Sequence, residues 1–533
     1  MKHLHRRLVN SLKIQSNKYV LLFLLIVGLL IRTVDLQHLP EGFFADEASI
    51  GYNAYTIAHT GKDEHGTQFP FFFEAFGEYK NPIAIYSTVP FVLLLGLHEW
   101  SVRLVSALYG TAGIFSIYLL THALFKKHSA RNVIALLSAF FLTISPWDIH
   151  LSRVMLEGIT AFLFFTMMGT YFFLRIHDHV RRNLLLSTFF FSLSFYSYFP
   201  ARLFIPLFSL SLLIIFHKTL FLKKHINTLL ITGALLLIAS LPILMSLSNQ
   251  TLLSRWQQVS IFSNHAPNEN PIAHIAYNYL SHFSPEFLFL TGDSGMKGQA
   301  ITRHSVRGFG ELYLIQLPLI LAGIYFLLTK DRRTLSLLLT WLLLYPLGSM
   351  FTTDTSAQAT RSVIGVVPFT ILSGLGTWHL VNFSSRKAGF LGKITSVFFF
   401  ALLLSSCIFY LKTYFQNYNM YASDFWGWQY GPREIMHFFR EHHNEYDDVY
   451  MSGEFNGSHI FLRFYDPENT CSGKCQTGDF LREASVYQSD RKQLFSLSPA
   501  YLNQSEYREK FKTIKTIFYP DQRVAFKIGV IVQ

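Results

Sequence analysis

The sequence predicts a polytopic α-helical membrane protein with about eleven transmembrane helices and a small C-terminal α/β or α+β domain, and three observations lead there. Half of the 533 residues are hydrophobic and 53 are Phe, too apolar for one ordinary soluble domain. Hydrophobic stretches of the length that crosses a bilayer, about 17 to 25 residues, recur along most of the chain. The short hydrophilic turns between them are basic at every second position, the asymmetry expected of loops on the cytoplasmic side.

The predicted spans are 19–36, 102–125, 131–147, 158–176, 183–199, 201–217, 226–247, 311–329, 333–350, 360–381 and 393–413. The net charge of +12 sits in the alternate turns, for example Lys126, Lys127 and Arg131, then Arg181 and Arg182, then Arg332 and Arg333. It therefore belongs to topology and excludes a nucleic-acid partner. The same pattern places the N-terminus in the cytoplasm of a plasma (inner) membrane protein, with the C-terminal domain outside. It holds only if the apolar run Ile83 to Leu97 lies in or re-enters the outer surface; the alternative is a twelfth span that inverts everything after it. The basic start KHLHRRLVNSLK precedes an apolar run followed by Arg32 and Asp35 and by no small-residue cleavage site, so it reads as a retained anchor.

Residues 1–413 form the predicted membrane domain, with a first outer loop over 37–101 and a long outer loop over 248–310, too long to be only a connection. The latter contains GDSGMKG, whose spacing does not match a P-loop and which no strand precedes. Residues 414–533 form the predicted extracytoplasmic domain. It opens on DFWGWQYGPREIMHFFREHH, where a proline in the first turn and Ile435, Phe438 and Phe439 at helical spacing predict an amphipathic helix. DDVYMSG, SHIFLRFY, KTIKTIFY and RVAFKIGVIV carry the β-branched and aromatic residues of strands. Cys471 and Cys475 lie on the side where a disulfide persists, and spacing leaves a local staple or two free thiols open.

The chemistry concentrates in the first outer loop. It holds the acid pairs Asp46-Glu47 and Asp63-Glu64, then Lys80, among aromatic residues suited to a membrane surface. Neighbouring residues on a helix diverge by about 100 degrees, so one of Asp46 and Glu47 faces a substrate; Asp46 is the candidate base, with Glu47 orienting a partner or a metal. Lys80 and Arg103 are placed to meet a lipid phosphate at headgroup depth. Asp148 and Arg153, in the outer turn SPWDIHLSRVMLEG, share that side. His304 stands in a basic, Gly-rich segment suited to an anionic ligand, and Arg361 enters an apolar run at a depth that favours a lipid phosphate or a carboxylate of the first loop as partner, with a structural ion pair as the alternative. No cofactor is implied, but Asp46 and Glu47 are the oxygen donors a divalent cation would take, if one binds.

The segments FFADEASIGYNAY, TGKDEHGTQFP and YKNPIAIY, then HEWSVRLVSALYG, SPWDIHLSR, FSPEFLFLTGD, RHSVRGFGELY, ATRSVIGVVPF and WGWQYGPRE, resemble the GT-C membrane glycosyltransferases, in the group of protein O-mannosyltransferases and aminoarabinose transferases. The resemblance implies inverting transfer of a sugar from a polyprenyl-phosphate carrier to a lipid, glycan or protein acceptor at the outer face. It implies Asp46 as base and Lys80 and Arg103 as phosphate contacts, and matches Asp148 more loosely to an acid of the second outer loop. The chain departs from it at Asn81, where a second proline is common. The alternatives are a transporter or flippase, or a non-catalytic binding subunit, for the lipid-linked sugar. Transporters concentrate ionisable groups at mid-bilayer, whereas here the acids lie in outer loops.

Overall fold

The computed structural model describes residues 2–220, 222, 225–246, 258–264, 270–387, 389–479 and 486–532, with side chains from 17 onward except at 246, 385 and 387. A helix stands at each of the eleven predicted positions: α1 (Lys2–Thr33), α4 (Glu99–Leu124), α5 (Arg131–Thr143), α7 (Ile159–Leu174), α8 (Val180–Phe195), α9 (Ala201–Ile215), α10 (Ile226–Ser246), α12 (Gln316–Lys330), α13 (Arg332–Leu344), α14 (Val366–Lys387) and α15 (Gly389–Asn417). Between α1 and α4 lie α2 (Ala45–Thr60) and α3 (Pro82–Leu95); α6 (Pro146–Ser152) follows α5, and α11 (Pro271–Ser281) precedes α12.

The count of eleven spans goes beyond what these helices support. Among the described residues four are long and apolar enough to cross a membrane, or five if α5 and α6, bent by 58° at their break, make one span. The reason is length: a helix of 16 residues such as α7 rises only about 24 Å, short of the roughly 30 Å hydrocarbon core. By the same measure α3, with 14 residues, is too short to span, and Leu93 and Leu94 near its end stay exposed. α10 and α15 turn Leu230, Leu237, Phe398 and Phe409 outward, a surface that water does not favour.

The helices share one core in which α14 packs on α5, α12 and α15, and α4 on α5 and α7. α12 and α14 meet at glycines: a Cβ on Gly376 would stand 1.8 Å from the Leu319 carbonyl oxygen, and one on Gly323 2.4 Å from that of Leu372. Any side chain there would separate the two helices, the usual reason for small residues where apolar helices cross.

After α15 come α16 (Pro432–His442), α17 (Ser458–Tyr465) and α18 (Pro499–Gln504), with five strands: β3 (Asp448–Ser452), β4 (Cys475–Gly478), β5 (Gln493–Leu497), β6 (Phe511–Phe518) and β7 (Val524–Ile531). Two short strands, β1 (Phe73–Ala75) and β2 (Glu78–Lys80), pair in the first loop. The five-stranded sheet has the order β4-β3-β5-β7-β6; β3 runs parallel to β4 and β5, and β7 antiparallel to β5 and β6. The predicted strand SHIFLRFY is instead α17. Its buried Ile460, Phe461 and Phe464 lie three and four apart, a helical stripe rather than an alternation.

One face of the sheet, with α16 and α17, packs into the same core as α2 and α3, so the C-terminal domain grips the first loop. Phe464 lies 4.7 Å from Phe43 between ring centroids. Arg433 reaches Glu99 and, at 3.1 Å, Glu41, and Arg463 reaches Glu64 at 2.7 Å. Cys471 and Cys475 form a disulfide. Replacing both with Ser is expected to lower the stability of this domain by about 2 kcal/mol, the closure entropy of so short a loop, as read from a urea titration of the detergent-solubilised protein.

Candidate active site

Asp46 is the second residue of α2, where the helix dipole favours an acid. Its side chain is 32% exposed and its Oδ1 lies 2.5 Å from the Lys80 Nζ. Lys80 ends β2, and pairing of Phe73 with Lys80 in the β1–β2 ladder aims the ammonium back at the start of α2, 5.2 Å over the Phe76 ring. The next residue, Asn81, accepts a hydrogen bond from Arg202 Nη2 at 2.8 Å.

Glu47, one residue on, points the other way and is fully buried. Its two oxygens accept from Arg103 Nε and Nη2, both at 2.9 Å, from the Met155 amide at 2.9 Å and from the Phe44 amide at 3.2 Å. Arg103 completes its bonding on the carbonyls of Leu36, Pro40 and Gly42 at 3.1, 2.8 and 2.6 Å. This pair is the buried brace of the first loop. In this arrangement all the Arg103 donors are engaged by protein, where the sequence reading has them meet a carrier phosphate, and both Glu47 oxygens are engaged by Arg103 and two amides, where it has them orient a partner or a metal.

Four other candidates are likewise structural in place. Asp148 pairs with Arg32 at 2.5 Å with both side chains buried, and Arg153 is bonded to the carbonyls of Ile31, Val34 and Leu39; together they lock α6 and the following turn to the end of α1. Asp63 accepts from the His65 and Thr67 amides at 3.0 and 2.8 Å, closing its own turn. Glu64 accepts from Asn53 at 3.0 Å and from Arg463, which fastens the loop to α17.

Asp46, His304 and Arg361 do come together, around a polar chamber of about 190 Å³ that Glu157, Arg303 and Asp354 also line. Arg361 is held by Asp354 at 2.9 and 2.8 Å; burial would raise the Asp354 pKa, but the guanidinium outweighs it and the pKa falls below its ordinary value. Burial lowers the pKa of His304 despite Asp293 3.5 Å away, so its imidazole is neutral at physiological pH. Arg303 lies 3.8 Å over the Phe44 ring and donates to the Trp426 carbonyl at 3.0 Å.

A second, apolar chamber of about 490 Å³, walled by Phe199, Leu203, Phe262, Leu347 and Phe351 with Glu78 and Arg202 among them, shares Glu157, Tyr198, Val259 and Arg361 with the first. The two adjoin at these residues, so a charged chamber borders a greasy one and together they are the two halves of the candidate cleft. Part of the outer loop predicted over 248–310, including 254–257 of SRWQQVS, lies outside the described residues; its described residues Val259 and Phe262 cover the apolar chamber. Glu157 is the residue that sequence reasoning passed over. It has φ +52°, which is uncommon for a side chain of its size, and a carboxylate one residue before a glycine in a basic outer turn was its available signal.

Among the described residues no group of three or more His, Cys, Asp or Glu side chains is gathered for a metal ion. With Glu47 saturated by Arg103 and Asp46 faced by an ammonium, the Asp46-Glu47 pair does not make a chelate for a divalent cation.

Residues 80–245 match the family described as dolichyl-phosphate-mannose-protein mannosyltransferase. No curated protein matches the chain by sequence. Among solved structures, the chain resembles ArnT from Cupriavidus metallidurans bound to undecaprenyl phosphate, with a TM-score of 0.56 and 12% identity over 96% of this chain and 98% of that one. It also resembles the Archaeoglobus fulgidus oligosaccharyltransferase tethered to an acceptor peptide, with a TM-score of 0.54 and 13% identity over 97% and 74%. The archaeal oligosaccharyltransferase AglB from the same organism, in complex with an inhibitory peptide and dolichol-phosphate, gives 0.52 and 13% over 85% and 64%. The chain thus has the fold of the GT-C membrane glycosyltransferases, with the sequence match to the mannosyltransferase family carried by residues 80–245.

Proposed function

We propose that this chain is a glycosyltransferase that moves a sugar, with inversion, from a polyprenyl-phosphate carrier to a lipid, glycan or protein acceptor at the outer face of the plasma (inner) membrane. The observation that carries the reading is the pair of adjoining chambers: a half-buried carboxylate, Asp46, beside guanidinium groups in the polar one, and an apolar one that shares four lining residues with it. A polyprenyl phosphate has the matching halves, a charged head and a hydrocarbon chain. The neighbours bound to undecaprenyl phosphate and dolichol-phosphate support this donor class. The Cys471–Cys475 disulfide supports an oxidising compartment for the C-terminal domain, with the N-terminus on the cytoplasmic side.

The chemistry follows from the groups present. The acceptor oxygen attacks the anomeric carbon on the face opposite the phosphate; its proton passes to Asp46, the bond from C1 to the phosphate oxygen breaks, and its electron pair leaves on the carrier phosphate. Arg361 and Arg303 stabilise the charge that develops there. In the resting cleft the Lys80 ammonium faces Asp46, and an incoming phosphate competes with the carboxylate for that ammonium. Neutral His304 offers a hydrogen bond to the sugar rather than a charge.

Arg361→Ala is expected to raise the KM for the carrier about tenfold or more with a smaller loss of kcat, since one charge-assisted contact to phosphate is removed. The reading as a whole is tested by transfer of radiolabel from a panel of polyprenyl-phosphate sugars to membrane extract, by purified protein in liposomes. Label moved by the wild type and not by Asp46→Asn supports it. Carrier binding without transfer by either protein refutes it in favour of a flippase or a binding subunit.

A further inference from the structure

A second cavity, of about 540 Å³, lies away from the cleft, where the segment after α15 meets the C-terminal sheet; Phe425, Gln429, Tyr430, Glu454, Tyr519 and Phe526 are among its walls. Gln429 is the informative residue. It is 2% exposed, yet neither its Nε2 nor its Oε1 has a hydrogen-bond partner. Both ends of the amide are orphaned, so exchanging oxygen and nitrogen would change nothing. Leaving a buried polar group unpaired costs about 1–3 kcal/mol, and the backbone here adds to the cost with φ +52°. That conformation is held by the Gln429 amide donating to the Asp424 carbonyl at 3.0 Å.

The other walls say what would satisfy it. Tyr430 and Tyr519 tilt toward each other with ring centroids 6.1 Å apart, and burial raises both phenols above their ordinary pKa, so both stay protonated, Tyr430 with its hydroxyl engaged by Glu434. Glu454 accepts from Ser498 and Ser452 at 2.9 and 3.0 Å and keeps lone pairs for more. A donor and an acceptor on one amide match two neighbouring hydroxyls; aromatic faces suit the apolar face of a pyranose; and the volume is that of a ligand site rather than of a buried water or two.

We infer that this cavity is a saccharide-binding site of the C-terminal domain, distinct from the cleft, in which Gln429 pairs with adjacent hydroxyls of a neutral sugar ring stacked among the aromatic side chains. One strand of chain separates it from the cleft. Phe425 and Gln429 face the cavity, while the Trp426 carbonyl between them receives Arg303, which lines the polar chamber. The inference stands whether or not the chain transfers sugar.

Saturation-transfer NMR on the detergent-solubilised full chain tests it, with mannotriose, maltotriose and chitotriose as probes and an acetylated tripeptide amide as the competing chemistry. The expected result is transfer to at least one trisaccharide. Its affinity should fall about tenfold in Gln429→Ala, fall severalfold in Tyr519→Phe, and stay unchanged in Asp46→Asn. Tyr519→Phe removes only a hydroxyl and keeps the test valid if Gln429→Ala does not fold. Transfer to none of the sugars, transfer to the tripeptide instead, equal affinity in both cavity variants, or loss of binding in Asp46→Asn would each overturn the assignment.

Discussion

Asp46→Asn lowers the rate of sugar transfer by about 10²- to 10⁴-fold, the contribution expected of a positioned general base, while the protein stays folded with a moderately lowered unfolding midpoint. The two halves of this result follow from one geometry. Asp46 is 32% exposed at the start of α2 and its ion pair with Lys80 is open to solvent on one side. Lys80 is only 9% exposed, so losing its counter-charge costs stability, though less than the ~3–5 kcal/mol of a fully buried pair. Asn keeps the size of the carboxylate and one accepting oxygen but cannot take the proton. The effect should fall on kcat with carrier affinity preserved, and Asp46→Glu should recover part of the rate, since it restores the carboxylate at a displaced position. Single-turnover transfer with saturating carrier separates the terms. Wild-type turnover by Asp46→Asn would remove Asp46 from the chemistry and leave Glu157 and Asp354, which line the same chamber, as the acids to test.

The helix positions were legible because each is an uninterrupted apolar run, but their ability to span was not, since hydropathy says nothing about where caps and bends cut a helix short. The place of Asp46 on the chamber wall was legible for a local reason: an acid in the first turn of a helix directly after an anchor. The mutual pairing of Glu47 and Arg103 was not legible, for a non-local reason. Which of two adjacent acids faces the core is decided by α4 and by the turn at Met155, both distant in sequence, and the bonds that consume Arg103 come from carbonyls of an irregular loop with no pattern to read. β5 was missed although it is the centre of the C-terminal sheet: QLFSL is buried at every position, so it lacks the alternation that marks a half-exposed strand. Arg303 and Arg361 reach the same chamber from separate loops, a convergence that only the folded chain displays.

Arg103→Leu is expected to destabilise the protein by about 3–5 kcal/mol, the cost of leaving a buried carboxylate without its counter-charge. No exposed group shares this sensitivity. The guanidinium donates five hydrogen bonds, two to Glu47 and three to carbonyls of the 36–42 turn, so its loss frees both the acid and the segment that leads into Phe43 and Asp46. That segment has no room to re-pack: a Cβ on Gly42, at φ +97°, would meet the Trp428 carbonyl oxygen at 2.5 Å. Loosening it therefore also disturbs the seat of the C-terminal domain. Thermal unfolding in detergent, followed by tryptophan fluorescence, should show the midpoint falling for Arg103→Leu and for Glu47→Ala. The double change Arg103→Leu with Glu47→Leu separates a brace from a substrate contact. Removing both charges abolishes the uncompensated one, so part of the stability returns, and transfer activity returns with it if Arg103 acts only by holding the loop. If stability recovers while the KM for the carrier stays raised more than tenfold, then Arg103 meets the phosphate after all, in a state of the cleft more open than this one.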